Sequence, residues 1–117
     1  MGNFKELKVW QQSKDLAIEI YRLTESSPFV KDFGLKDQMR RSSVSVPSNI
    51  AEGDGLDTDR QSIKHFYIAR GSIAELRTQL IISFEIEYIT STKYNDLEKQ
   101  CENISAMITG LIKHRSK

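Results

Sequence analysis

Between Leu97 and Leu111 the apolar side chains are spaced four, three, four and three residues apart: Leu97, Cys101, Ile104, Ile108 and Leu111. That alternation keeps one line of a helix turned toward a neighbour and is the seam of left-handed helix packing. A chain carrying such a seam needs further helices to cover it, and the preceding sequence supplies three. From about Phe4 to Glu25, Val9, Leu16, Ile20 and Leu23 form one stripe, with Trp10, Ala17, Tyr21 and Thr24 beside it. Pro28 and its serine neighbours stop that helix. A second segment runs from about Gly34 or Leu35 to Gly53, which reads as a C-terminal glycine. The turn "DGLDTD" follows; its Asp54, Asp57 and Asp59 solvate it and favour a helix start.

Thr58 and Gln61 fit a capping box. The third helix they open is expected to reach about Thr90, roughly 48 Å at ~1.5 Å per residue. "TSTKYN" is expected to turn the chain into the fourth helix. No run combines alternation of period two with hairpin signals. The expected fold is all-α, an antiparallel up-down-up-down four-helix bundle, with one domain over residues 1–117.

Several function classes drop out on composition. Seventeen Lys and Arg against sixteen Asp and Glu leave a net charge of +1, so nucleic acid or anionic lipid is not attracted globally. Cys101 is the only cysteine, which excludes an intramolecular disulfide and a cysteine zinc cluster and suits a buried thiol in a reducing compartment. The N-terminal stretch has no apolar signal core, and no run approaches the ~18 residues of a membrane helix. A cytoplasmic protein with no membrane partner is expected. His65 and His114 fall on different helices and no His-Glu-x-x-His or Cys-x-x-Cys spacing exists, so neither metal nor cofactor is expected. Glu52 and Glu75 could act as an acid/base pair, but nothing supplies a nucleophile or metal beside them. No catalytic residue is assigned, and a non-enzyme is expected.

The second helix contains "RRSSVSVPSNIAEG", a stretch that propensity alone would not write as helix. Leu35, Met39, Ser42, Val46, Ile50 and Gly53 nevertheless share one face, which should meet the core. Beside it lies a stripe of Gln38, Arg41, Ser45, Ser48 and Glu52, small in the middle and charged toward its ends. Small residues permit close approach of another helix, and hydroxyls can bond to backbone or across the contact. Pro47 frees the Ser43 carbonyl and should kink the helix without ending it. The third helix has a core stripe of Phe66, Ala69, Ile73, Leu76 and Leu80. A second stripe holds Ile68, Ser72, Glu75, Gln79, Ile82 and Ile86, and a third side holds Ile63, Tyr67, Ala74, Ile81 and Tyr88. A helix apolar all round is buried on more than one face, and a partner subunit is the simplest cover. The chain is therefore expected to form a homo-oligomer.

Three stretches, "FKELKVWQQSKDLAIEIYRLT", "FGLKDQMRRSSVSVPSNIAEG" and "FYIARGSIAELRTQL", resemble the four-helix-bundle proteins encoded in intervening sequences of bacterial large-subunit ribosomal RNA genes. Accessory proteins of diversity-generating retroelements belong to the same broad family. The likeness is strongest at Gln38 with Arg41, at the run Ser45, Val46, Pro47, Ser48, Asn49, Ile50, Ala51, Glu52 and Gly53, and at Ala69, Gly71, Ser72, Glu75 and Leu76. It implies an all-α bundle assembled as a pentamer with no established enzymatic activity for most members. For the retroelement branch it implies binding to nucleic acid and a reverse transcriptase. The chain departs from the family pattern at Arg77, where an acidic residue is common, at the rearranged Pro28–Phe29 pair, and at Glu87, which replaces a glycine.

Two groups of polar residues carry the functional expectations. Arg41, Asn49, Glu52, Ser72 and Glu75 form either a ligand or nucleic-acid site or a buried hydrogen-bond network that fixes helix register and subunit pairing. Arg40 and Arg41 on the second helix, and Arg60, Lys64, Arg70 and Arg77 on the third, are the candidate nucleic-acid-binding residues. Arg70 and Arg77 are one heptad apart, with Arg40 or Arg41 expected nearby, and fivefold assembly would multiply them into a ring. An ordinary solvated helix surface is the other reading of the same charges. The expected function is a non-enzymatic, oligomeric binding or scaffold protein whose leading partner is RNA or DNA. A protein-interaction adaptor is the alternative, and an unrecognised hydrolase or nuclease a distant third.

Overall fold

A computed structural model describes residues 3–56 and 58–116; Asp57, placed in the second turn above, lies outside them. Short 3₁₀ turns at Phe4–Glu6 and Phe29–Lys31 accompany α1 (Lys8–Thr24), α2 (Phe33–Asp54), α3 (Asp59–Glu85) and α4 (Ser91–Arg115). No strand occurs among the described residues. Three of these helices open on a side-chain cap that satisfies an otherwise unpaired amide. Asp32 accepts from the Leu35 N–H at 3.2 Å, Thr58 from Gln61 at 3.3 Å, and Thr90 from Lys93 at 3.1 Å.

Neighbouring helices run in opposite directions, because their cross-links pair rising with falling residue numbers. Ser42 meets Gln79, Ser45 meets Ser72, Asn49 meets His65, and the Gly53 carbonyl meets Ser62. Between α3 and α4 the same order holds for Arg77 with Glu98, Arg70 with Thr109 and Ser62 with Arg115. On the remaining side Lys93 and Gln100 of α4 donate to the Glu19 carboxylate of α1 at 2.6 and 3.1 Å. Burial alone pushes that carboxyl up, yet the two bonds together outweigh it and hold the group below its ordinary value.

The core holds the expected seams: Val9, Leu16 and Ile20 of α1, Met39, Val46 and Ile50 of α2, the whole Phe66-to-Leu80 stripe of α3, and Leu97, Cys101, Ile104 and Ile108 of α4. At the end of α4 the buried residue is Ile112, while Leu111 is only half-buried. Burial, helped by the nearby Glu98 charge, pushes the Cys101 thiol up to about 12, so it stays an unreactive thiol. α2 passes through buried Pro47 without a break. Phe29, from the rearranged Pro–Phe pair, is buried edge-on to Tyr88 at 5.1 Å, and the Tyr88 hydroxyl donates to Asp32 at 2.9 Å. No described helix is long and apolar enough to cross a membrane.

Three sequence expectations need correction. α3 ends at Glu85 rather than near Thr90, because Tyr88 N–H turns back onto the Ser83 carbonyl at 2.8 Å and Glu87 takes a left-handed conformation with φ of 65°. "TSTKYN" is not a turn; Thr90 caps α4 and Ser91 already belongs to it. Gly53 is not a terminal glycine with positive φ, since α2 continues to Asp54. A Cβ there would lie 2.6 Å from Phe66 Cε1, so glycine is required by the approach of α3.

Glu87 occupies a conformation that costs an L-residue about 1–2 kcal/mol and glycine nearly nothing. Glu87→Gly should therefore raise the unfolding free energy by about 1 kcal/mol in urea titrations. A neutral or destabilising result would contradict this helix ending.

Candidate functional site

The serine-rich face of α2 meets α3 along a continuous polar seam. Ser42 Oγ donates to Gln79 Oε1 at 2.7 Å, and Ser72 Oγ donates to Ser45 Oγ at 2.8 Å. Asn49 Nδ2 donates to the Ser45 carbonyl and hydroxyl oxygens at 2.9 and 3.0 Å. His65 Nδ1 lies 3.1 Å from Asn49 Oδ1 and 3.2 Å from Glu52 Oε2. Ser62 Oγ completes the seam by donating to the Gly53 carbonyl at 2.6 Å. Small side chains let the two backbones close in, and each hydroxyl that goes under finds a partner, which keeps the contact from being destabilising.

Asn49, Glu52 and Ser72 from the expected polar set thus sit in one ladder, together with Ser45. Gln38, Arg41 and Glu75 stand at the mouth of a cleft of about 270 Å³ whose floor is Ser42, Ser45, Ser72 and Gln79. Ser48 is exposed and takes no part in the seam. Ser62 and His65 are the members that helical spacing did not assign to this contact, whereas Gln79 lies on the Ser72 stripe as expected. The signal was present: His65, Ser72 and Gln79 are seven apart and share the flank of α3 that meets α2.

The candidate basic residues point in several directions. Arg40 clamps α1, donating from Nε to Thr24 Oγ1 at 2.9 Å and from Nη2 to the Tyr21 carbonyl at 3.2 Å, with its guanidinium 4.3 Å from the Tyr21 ring centre. Arg41 pairs with Asp37 at 3.0 Å on an exposed surface. Arg77 grips Glu98 with two bonds of 2.9 and 2.8 Å, and the Glu98 bond raises the guanidinium pKa further. Arg70 donates to Thr109 at 3.2 Å and lies over the Tyr67 ring at 4.8 Å. Both therefore face α4, about 150° around α3 from the Ser72 flank at ~100° per residue. Arg40 is turned to α1 instead and does not join them. Arg60 and Lys64 are exposed at the start of α3.

A third polar cluster closes one end of the bundle. Arg115 donates to Ser62 Oγ at 3.0 Å and to Asp54 Oδ1 at 3.4 Å, and its guanidinium lies 5.7 Å from the Phe66 ring centre. Asp54 is buried, and its Oδ2 has no partner among the described residues. One arginine thus ties the end of α2, the start of α3 and the end of α4. No described group of His, Cys, Asp and Glu has the arrangement of a metal site.

Two apolar surfaces remain without cover. Ala17, Ile18, Tyr21, Val44 and Pro47 line a groove of about 390 Å³ between α1 and α2. Tyr67, Ile68, Ile81 and Ile82 stand out from α3, each at least 40% exposed.

Residues 5–110 match the family model described as 23S rRNA-intervening sequence protein. The fold is similar to the crystal structure of a protein with unknown function from the S23 ribosomal protein family of Bacteroides thetaiotaomicron. The TM-score is 0.83 and the identity 25%, over 90% of this chain and 98% of that one. No curated protein matches the sequence.

Proposed function

We propose that this chain, which belongs to the 23S rRNA-intervening sequence protein family, is a self-associating helical scaffold that binds RNA without catalysing a reaction. The observation that carries this reading is the outward face of α3, where Tyr67, Ile68, Ile81 and Ile82 lie open. Exposed apolar side chains that join into a patch mark interaction surfaces. Self-association covers this one and brings together copies of every surface cation, with five copies the stoichiometry that the family resemblance implies.

RNA is the proposed ligand because the resemblance implies nucleic-acid binding for the retroelement branch and exposed cations stand on α2 and α3. A net charge of +1 cannot hold RNA by itself, so contacts must come from local cations repeated by symmetry. Arg41, Arg60 and Lys64 are the exposed candidates. Arg77 is committed to Glu98 and contributes to α3–α4 packing instead.

Titration of fluorescent single-stranded RNA should show weak binding with little sequence preference. Its affinity should fall with salt at a log–log slope of about −0.7 per phosphate contact. Arg60→Gln with Lys64→Gln should weaken binding and flatten that slope at unchanged mass. No binding at ~50 mM salt would reject RNA and favour a protein-interaction adaptor that uses the same apolar face.

A further inference from the structure

The cleft between α2 and α3 holds polar groups that the chain does not satisfy. Gln79 lies on its floor and is only 7% exposed. Its Oε1 accepts from Ser42 Oγ at 2.7 Å, a length typical of O–H···O, while its Nε2 has no partner among the described residues. The polar side-chain atom sealed in without a partner there is Asp54 Oδ2, so Gln79 Nε2 opens on the cleft that Gln79 lines. Ser45 and Ser72, also on the floor, share one bond of 2.8 Å between their hydroxyls. Asn49 Nδ2 donates to Ser45 Oγ, so one hydroxyl proton of the pair has no acceptor among the described residues. The floor thus presents an amide N–H and a serine O–H, both donors, to an occupant.

The mouth carries charges of both signs. Arg41 gives its Nε to Asp37 at 3.0 Å, which leaves its terminal nitrogens without an ion pair among the described residues. Glu75 is exposed and likewise unpaired there. It stands one helical turn from both Ser72 and Gln79, and Arg41 one turn from Ser45, so both charges flank the floor donors closely. Every lining side chain is polar or charged, and a nucleobase or acyl chain finds no apolar face to lie against. Asp37 and Glu75 flank the single guanidinium, so a phosphate would meet more negative than positive charge. A volume of about 270 Å³ is near the lower end of ligand pockets. A small zwitterion meets all of these conditions.

We propose that this cleft binds a free α-amino acid. Its carboxylate accepts from Gln79 Nε2, the spare serine hydroxyl and Arg41, and its ammonium meets Glu75. The inference goes beyond RNA binding and self-association, and Arg41 is the residue it shares with the RNA reading.

Titration of isotope-labelled protein with each of the common L-α-amino acids, followed by NMR, tests this. At least one should shift the Gln79 side-chain amide signals saturably, with a Kd below ~10 mM. Its N-acetyl derivative lacks the ammonium and its carboxamide lacks the carboxylate; each should bind about tenfold more weakly or worse. Glu75→Gln, at an exposed position, should remove the preference for the free amine over the N-acetyl form at unchanged helix content. Gln79→Met keeps the side-chain length and leaves Ser42 the Met39 carbonyl at 3.2 Å as acceptor, so the fold should hold while binding weakens about tenfold. No saturable shift with any amino acid would mean that the cleft holds water only and would overturn the proposal. Equal binding of the N-acetyl form by the wild type, tighter binding of inorganic phosphate, or unchanged affinity in Gln79→Met would overturn it as well.

Discussion

Gly53→Val should lower the unfolding free energy by about 3 kcal/mol, at the upper end of overpacking effects. The cause lies at the α2–α3 crossing. A Cβ at Gly53 comes within 2.6 and 2.9 Å of two Phe66 ring carbons and 3.1 Å of the Ser62 carbonyl. Phe66 is fully buried and cannot swing away, and the Ser62 carbonyl belongs to helix backbone. Valine adds two methyl groups to that collision. Gly53→Ala should be milder, because alanine recovers about 1 kcal/mol of helix propensity. Phe66→Leu should soften the Gly53→Ala penalty, so the two changes together should destabilise by less than their sum. Strict additivity in urea titrations would show that ring and glycine do not meet.

Arg115→Met should destabilise by about 3 kcal/mol, because it strips the cation from a buried carboxylate. Methionine retains the apolar reach over Phe66, so the loss isolates the charge. Asp54 is 7% exposed, and Arg115 supplies its ion-pair partner among the described residues. Asp54→Asn in the Arg115→Met background should recover most of the loss by removing the stranded charge. A loss below ~0.5 kcal/mol for the single variant would show that Arg115 is not needed at this end of the bundle.

Helices and core were largely legible because burial in a bundle repeats every three and four residues. Leu97, Cys101, Ile104 and Ile108 are buried as their spacing requires. Helix ends were less legible. Glu87 takes a conformation that glycine favours, so α3 stops where no residue type announces it. Gly53 misled for the opposite reason: glycine marks both helix ends and close contacts, and only the position of Phe66 tells them apart.

The polar seam was half legible. Serines at helical spacing pointed to close packing, but Ser62 and His65, which complete the seam, lie on another helix. The basic residues were least legible, because charge and spacing do not reveal which arginines are already engaged. Arg77 is held by Glu98, twenty-one residues away in sequence. Arg115 reaches Asp54 across sixty-one residues.

Self-association through the outer face of α3 is the central claim, and the mass of the unmodified protein in solution tests it most directly. Sedimentation equilibrium at micromolar concentration should give a species several times the 13.4 kDa of one chain, with five copies expected. A mass of 13.4 kDa that does not rise with concentration would contradict it.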